Sequence, residues 1–145
     1  MPSEPSAKGG VGDERSDVGD GAVVTKRSPW SISDTVARLS AVVAARGMEV
    51  FAVIDHSGNA LDIGLELRDT KLVIFGSPSA ATPVIEAAPL AALDLPLRLV
   101  VWEDGYQTLV SYPAPAAVAG RYGLDRDLEG AFAAIDEIIS AVINR

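Results

Sequence analysis

The sequence predicts a single α+β domain in which a mixed, mostly antiparallel sheet of about five strands is covered on one face by helices. Short apolar, β-branched runs alternate with stretches whose apolar residues recur every three or four positions. Asp104-Gly105 separates two of the short runs, and this dipeptide is a strong hairpin signal. The chain of 145 residues is long enough to bury a core of its own.

The first elements are a strand and a helix. Residues 22–27 (AVVTKR) are rich in β-branched side chains, and the Ser28-Pro29 step that follows ends the strand. Ser33 is predicted to cap the helix, and Gly47 is predicted to end it. Four apolar residues in this region have the spacing of one helical face: Ile32, Val36, Leu39 and Val43.

The middle of the chain holds two apolar strands with a polar connection. Residues 49–54 (EVFAVI) and 71–75 (KLVIF) are the predicted strands. Residues 55–64 (DHSGNALDIG) between them are short, polar and glycine-containing, so they are predicted to form a loop or a single helical turn. Gly76-Ser77-Pro78 ends the second strand.

A short helix, a hairpin and two closing helices complete the domain. Thr82-Pro83 is predicted to open the short helix, which reaches Ala88, because proline is tolerated in a first turn. Residues 97–103 and 107–112 are the hairpin strands. The closing helices are residues 114–122 and 128–143, and the second carries the apolar stripe Leu128, Phe132, Ile135, Ile139 and Val142.

Composition excludes several classes of function. Against 12 basic side chains stand 20 acidic ones, so the net charge is −8, whereas binding to nucleic acid or to an anionic membrane requires a clustered excess of Lys and Arg. The absence of cysteine excludes disulfides, cysteine nucleophiles and thiolate metal sites. The single histidine excludes motifs that need two, such as the helical zinc motif of metalloproteases.

The N-terminal segment differs from the rest of the chain. Residues 1–21 contain five of the 13 glycines, five acidic residues and two basic ones, so their net charge is −3 and residues 22–145 carry −5. We expect a disordered acidic tail followed by the domain, because so polar a segment buries too little surface to offset the entropy of ordering. We find no signal peptide and no run of 18 apolar residues, so the expected location is the cytoplasm, without membrane contact.

Four separated segments carry a family resemblance. They are residues 50–60 (VFAVIDHSGNA), 73–78 (VIFGSP), 93–104 (LDLPLRLVVWED) and 110–115 (VSYPAP). In order and spacing they resemble the family called domain of unknown function 302 (DUF302), over about residues 22–143. The resemblance implies a small α+β domain that forms homodimers, and it implies no settled activity. The chain departs from the family pattern at Ser77, where the family turn has an amide side chain.

The only histidine lies in the first candidate site. His56 follows the strand 49–54, and polar groups at strand ends can converge on a ligand. Together with Asp55, Ser57 and Asn59 we interpret it as part of a ligand-binding pocket, since an imidazole also suits proton transfer. The structural alternative is that Asp55 caps a helical turn and His56 donates to a backbone carbonyl. The consecutive residues 55–57 are not a catalytic triad, whose members normally come from separate segments.

Phe75, Gly76, Ser77 and Pro78 form the second candidate site, which we expect on the wall of the same pocket. Gly76 permits close approach of a ligand, and backbone amides at the start of the next helix can receive an anionic group. The alternative is ordinary turn chemistry, with glycine and proline setting the backbone dihedral angles. No lysine or arginine lies within this segment to support anion binding.

Two weaker possibilities concern metals and aromatic residues. His56 with Asp55, Asp62 or Glu66 offers nitrogen and oxygen ligands, but scattered carboxylates around one histidine do not specify a metal site, and we assign none. Trp102 and Tyr112 suit either a subunit interface or ordinary packing in the sheet. The cofactor, if one exists, stays unknown.

Our leading functional hypothesis is a homodimeric small-molecule binding or sensing module with a pocket near His56. The alternatives are an enzyme that uses His56 as a general acid or base, and a purely structural or partner-binding dimer. The motifs contain no second reactive group, which places the enzyme behind the binding module.

Overall fold

The computed structural model describes residues 22–144; the expected disordered tail, residues 1–21, lies outside the described residues. The described chain forms five strands: β1 (Val23–Ser28), β2 (Glu49–Asp55), β3 (Thr70–Gly76), β4 (Leu97–Asp104) and β5 (Gln107–Pro113). It also forms five α-helices: α1 (Ile32–Ala45), α2 (His56–Asp62), α3 (Pro78–Ala87), α4 (Pro115–Arg121) and α5 (Arg126–Ile143). A short 3-10 helix, Pro89–Asp94, lies between α3 and β4.

The strands form one sheet in the order β1-β5-β4-β3-β2. Every pairing within residues 22–144 is antiparallel, so the predicted α+β class is confirmed with a sheet that is antiparallel throughout rather than mixed. Strands β2, β3 and β4 each pair with the next strand of the chain, as antiparallel neighbours can. The longer α1 connection lets β1 lie on the far side of β5, which leaves β1 and β2 as the two edges.

The core lies between the sheet and the helices α1 and α5. Helix α1 contacts β2, β3 and β4, and α5 contacts α1 and β1. The predicted stripe of α5 is confirmed in that Phe132, Ile135, Ile139 and Val142 are buried, while Leu128 is half-buried. They pack against the core face of the sheet, which presents Val73, Phe75, Leu99, Val101, Val110 and Tyr112.

The starts of α1 and α3 depart from the sequence predictions, and α5 begins at Arg126, two residues before its predicted start. The cap of α1 is Ser31, whose Oγ accepts a hydrogen bond from the Asp34 amide at 3.0 Å, and the prediction of Ser33 is wrong. Ile32 is the first residue of the helix and is buried with the packed face. Helix α3 begins at Pro78, and Pro83 lies inside it. Pro78 occupies the first turn, where a proline loses no hydrogen bond, so the glycine-serine-proline turn is itself the helix start.

The residues after β2 form a helix of seven residues, α2, in the region predicted as a loop or a single turn. None of its residues is buried. The 3-10 helix was not predicted, because its sequence PLAALD offers no periodic apolar face long enough to indicate a helix. None of the helices within residues 22–144 combines the length and the apolar character needed to cross a membrane.

Candidate functional site

The two sequence-predicted sites lie at opposite ends of the β2–β3 pair. Asp55 pairs with Lys71, while Gly76 pairs with Glu49. Lys71 and Gly76 are five residues apart in one strand, which is roughly 17 Å. The structure therefore does not bring residues 55–59 and 75–78 together, and the prediction of one pocket walled by both is wrong. An antiparallel hairpin separates the end of its first strand from the end of its second.

At the first end, Asp55 caps α2, as the structural alternative proposed. Its Oδ1 accepts hydrogen bonds from the Gly58 amide at 2.9 Å and from the Ser57 hydroxyl at 2.8 Å. Ser57 Oγ also lies 3.1 Å from Asp69 Oδ1 and accepts from the Thr70 amide at 3.2 Å. These contacts tie the start of α2 to the start of β3.

Lys71 completes this network. Its Nζ lies 3.2 Å from Asp55 Oδ1 and 3.0 Å from Asp69 Oδ1. The backbone hydrogen bond from Gly58, followed by those from Ser57 and Lys71, lowers the pKa of Asp55 to about 2. Burial opposes the protonated amine of Lys71, yet the bonds to Asp69 and Asp55 outweigh it and raise the pKa. The lysine is therefore a cation held between two carboxylates, and it is unsuited to act as a base.

His56 stands outside the network. It is the first residue of α2 and is exposed, and the described residues give its side chain no hydrogen bond or ion pair. Asn59 is exposed as well. Asp55 and Ser57 line an open groove together with Leu61, Leu65 and Lys71 among others, and neither His56 nor Asn59 is part of its lining. This end of the sheet offers an open groove lined by polar residues and leucines rather than a closed pocket.

At the other end there is a partly open apolar cavity of about 280 Å³. Gly76, Ser77 and Pro78 of the second candidate site line it, whereas Phe75 is buried in the core beside them. The remaining walls come from the end of α1, β2, α3, the segment before β4 and α5: Met48, Phe51, Ala80, Ala81, Ile85, Leu95, Pro96, Leu97, Gly130, Ala131 and Ala134. Ser77 is the single polar side chain in this lining.

Small residues create the cavity. Helix α3 contributes Ala80 and Ala81, and α5 contributes Gly130, Ala131 and Ala134. A Cβ atom added at Gly130 would meet nothing within 4 Å. At Gly76, by contrast, a Cβ atom would lie 3.4 Å from the ring of Pro96 and 3.9 Å from Phe51, which are ordinary packing distances against the cavity wall.

Asp94 anchors the wall formed by residues 95–97. Its side chain is only 10% exposed and accepts hydrogen bonds from Arg98 at 2.9 Å, from Arg121 at 2.8 Å and from the Tyr122 hydroxyl. Burial by itself raises the pKa of Asp94, but the bonds from Tyr122 and Arg121 outweigh it and hold the pKa below its usual value. One carboxylate thus joins the 3-10 helix, β4 and α4 directly beside the cavity.

Sequence reasoning missed the cavity and its anchor. The Asp94-to-Arg98 spacing of four residues and the small residues Gly130 and Ala134, also four apart on α5, were available signals. Neither is specific without knowledge of which elements face each other. Within residues 22–144, no three histidine, aspartate or glutamate side chains converge to hold a metal ion.

Comparison with known proteins identifies the fold and two kinds of relatives. A DUF302 protein of Bacillus stearothermophilus, described as an uncharacterized conserved protein, has a similar structure with a TM-score of 0.71 and 21% sequence identity. The similarity covers 83% of this chain and 94% of that one. At this level of identity it shows a shared fold.

Curated relatives are longer. The fluoride-specific ion channel FluC 1 of Brucella suis is 37% identical over 106 residues, which are 72% of this chain and 42% of the channel protein. FluC 1 of Brucella abortus and FluC 2 of Brucella melitensis match over the same 72% of this chain and 39% of their own lengths. The chain therefore spans about two-fifths of these relatives.

The family assignment rests on the model of the family called domain of unknown function DUF302. That model matches residues 24–142, which run from the first strand to the last turn of α5. The resemblance of the four sequence segments is thereby confirmed, and the chain belongs to the DUF302 family.

Proposed function

We propose that this chain is a homodimeric small-molecule binding or sensing module, and that its ligand is a compact, uncharged, apolar molecule bound in the cavity beside Gly76, Ser77 and Pro78. The cavity carries this proposal. Its lining is almost entirely apolar and encloses about 280 Å³, which distinguishes it from the more open and more polar grooves on the described surface. An apolar molecule that fills it would regain the dispersion contacts that the lining atoms lack.

The lining sets the ligand class. No charged side chain faces the cavity, so an ion would lose its hydration without gaining a partner. The volume lies at the lower limit for ligand pockets and favours a molecule with a single ring or a short chain. The Ser77 hydroxyl lies 2.8 Å from that of Ser79 and keeps further hydrogen-bonding capacity that can orient a polar substituent.

The open polar groove near His56 supports the proposal less well than the cavity. Its serine, two aspartates and lysine already bond to one another, so fewer of its polar groups are left to bind a ligand. Ligand contacts by Asp55, His56, Ser57 and Asn59 stay predictions. An enzyme based on His56 has less support still, because it needs a second reactive group. The groove offers Lys71, which is held protonated, and carboxylates that are either bonded to Lys71 or exposed.

The relatives support a sensing role. In the Brucella channel proteins the matching segment is about two-fifths of a longer polypeptide, so this kind of module is joined there to further chain. A binding module joined to another domain can transmit ligand occupancy to it, because a ligand stabilises the conformation that binds it. A cytoplasmic location stays a prediction.

Thermal unfolding in the presence of toluene, indole, 1-octanol or sodium fluoride tests the proposal. We expect at least one apolar probe to raise the Tm of the wild type and fluoride to leave it unchanged, since a ligand stabilises the folded state that binds it. Gly130→Leu should abolish the shift because its side chain fills the cavity. Gly120→Leu is the matched control, since Gly120 is also a helical glycine with open space around it and lies outside the cavity lining.

His56→Ala separates the two candidate sites. If the cavity is the site, His56→Ala binds the probe as the wild type does. Loss of the shift in His56→Ala with retention in Gly130→Leu would place the ligand at the other end of the sheet. Absence of any shift with all three apolar probes would refute the apolar ligand class.

A further inference from the structure

The mouth of the cavity is formed mainly by small or rigid residues. The exposed members of the lining are Phe51, Pro78, Ala80, Pro96 and Gly130. Proline, alanine and glycine have no side-chain rotamers with which to change the width of an opening. Phe51 is 46% exposed, and among these five residues it alone carries a long rotatable side chain. Side-chain movement at the mouth is therefore movement of the Phe51 ring.

A β-bulge directs Phe51 to the cavity. Val50 pairs with Phe75 and Ala52 pairs with Ile74, so Phe51 is the extra residue between two consecutive pairs. Two neighbouring side chains thus reach the helix side of the sheet, since Val50 packs against the core and Phe51 lines the cavity. A bulge re-aims a side chain in this way and leaves the extra residue without a partner in the ladder. Because β2 is an edge strand, no strand within residues 22–144 holds Phe51 from the other side either.

The lining also carries the two kinds of side chain that favour an aromatic ligand. Within the part of the chain that the structure describes, Phe51 is its single aromatic residue and Met48 its single sulfur-containing residue. Two aromatic rings attract each other in offset or edge-to-face geometry beyond the effect of the area that they bury. A thioether likewise makes favourable contacts with a ring. The other lining side chains are small or aliphatic apart from Ser77, so Phe51 and Met48 decide between an aromatic and an aliphatic ligand.

The volume of the cavity fits one ring. A cavity of about 150 Å³ lined by aliphatic and aromatic side chains is sufficient to bind benzene. The space of about 280 Å³ therefore has room for one ring with a short substituent. We propose that the ligand is a monocyclic aromatic compound and that Phe51 selects it, with its ring closing over the bound ligand at the mouth. This inference rests on the proposed function, since it names the ligand class of the same cavity.

Paired calorimetric titrations of the full chain with toluene and methylcyclohexane test the inference. The two hydrocarbons have the same carbon skeleton, and only toluene is aromatic. We expect Phe51→Leu to lower the ratio of the two affinities, toluene over methylcyclohexane, by about threefold to tenfold, because leucine keeps an apolar wall but removes the aromatic contact. Phe51→Tyr should retain the wild-type ratio, because it keeps the ring and the exposure of this side chain lets the added hydroxyl remain in water.

Val53→Leu is the matched control. Val53 lies on the same edge strand, is 44% exposed and is outside the cavity lining, so a leucine there should leave the affinity ratio unchanged. Cooperative thermal unfolding establishes that each variant is folded before it is titrated. A further measurement needs no variant: in the wild type, nuclear Overhauser effects between toluene and the Phe51 ring should report that the ring closes over the ligand.

The outcomes separate this inference from the proposed function. An equal affinity ratio in wild type and Phe51→Leu, with toluene bound by both, overturns selection by Phe51 and leaves the binding function standing. A fall in the ratio that is as large in Val53→Leu assigns the effect to the edge strand and overturns the inference as well. Toluene that binds without an Overhauser contact to Phe51 overturns the closing of the ring. Binding of 1-octanol without binding of toluene overturns the aromatic ligand class alone, whereas no binding of any of the three probes refutes the proposed function and this inference with it.

Discussion

Replacing Asp94 with asparagine should both destabilise the domain and weaken the cavity. The substitution preserves shape but removes the charge that Arg98, Arg121 and Tyr122 share. A hydrogen bond to a buried charged group contributes about 1.5–3 kcal/mol, whereas ion pairs to arginines that are 41% and 53% exposed contribute well under 1 kcal/mol each. Asparagine retains one acceptor for Tyr122 but loses the charge and both ion pairs. We therefore expect a loss of about 2 kcal/mol in the free energy of unfolding.

The pH dependence gives this prediction its sign. The pKa of Asp94 is below its usual value in the folded state, so the carboxylate contributes stability above the unfolded pKa, about 3.9. That contribution is lost as the pH falls through the folded pKa. The difference in the free energy of unfolding between wild type and Asp94→Asn should therefore be largest at pH 7 and should decrease steadily below about pH 4.

Urea unfolding followed by the fluorescence of Trp30 and Trp102 measures the effect at pH 7 and pH 3. Asp62→Asn is a control, because Asp62 is exposed and has no hydrogen-bond or ion-pair partner among the described residues. Toluene affinity should fall in Asp94→Asn alone, since residues 95–97 form the adjacent cavity wall. A difference below about 0.5 kcal/mol at pH 7, or one that does not change with pH, would refute the reasoning.

Three further predictions concern the core and the first candidate site. Tyr112→Phe removes the hydroxyl that donates to Asp136 Oδ1 at 2.6 Å. Burial and that carboxylate raise the pKa of Tyr112, so the hydroxyl stays a neutral donor. Urea unfolding should therefore show a loss of about 1.5–3 kcal/mol in the free energy of unfolding. Leu39→Ala truncates a side chain that is 1% exposed, and the same assay should show a loss of about 2–5 kcal/mol; a smaller loss would mean that the site collapses around the gap. Asp55→Asn removes a carboxylate with a pKa of about 2 in the folded protein. The wild type should lose free energy of unfolding as the pH falls from about 4 to about 2, and the variant should lose less over the same range. An equal loss in both proteins would contradict the capping role.

Sequence periodicity was sufficient for most elements because it reports local geometry. The stripe from Phe132 to Val142 and the hairpin at Asp104-Gly105 are confirmed, since a buried helical face and a two-residue turn each depend on neighbours a few positions away. The start of α1 was misplaced because Ser31 and Ser33 are equally good caps. In the structure Ser31 is the cap, since its Oγ accepts from the Asp34 amide and Ile32 is the buried first residue of the helix.

The candidate site shows where local reasoning stops. By itself the sequence determined the family, the α+β class and the position of Gly76-Ser77-Pro78 at the end of a strand and the start of a helix. It did not determine that this turn faces Phe51, Pro96 and the small residues of α5, because those contacts join segments far apart in the chain. The antiparallel register, which sets Asp55 against Lys71 and Gly76 against Glu49, was decided by the tertiary structure. That register alone separates the polar network from the apolar cavity. In an antiparallel pair the end of the first strand lies beside the start of the second, so the ends of β2 and β3 lie at opposite edges of the pair.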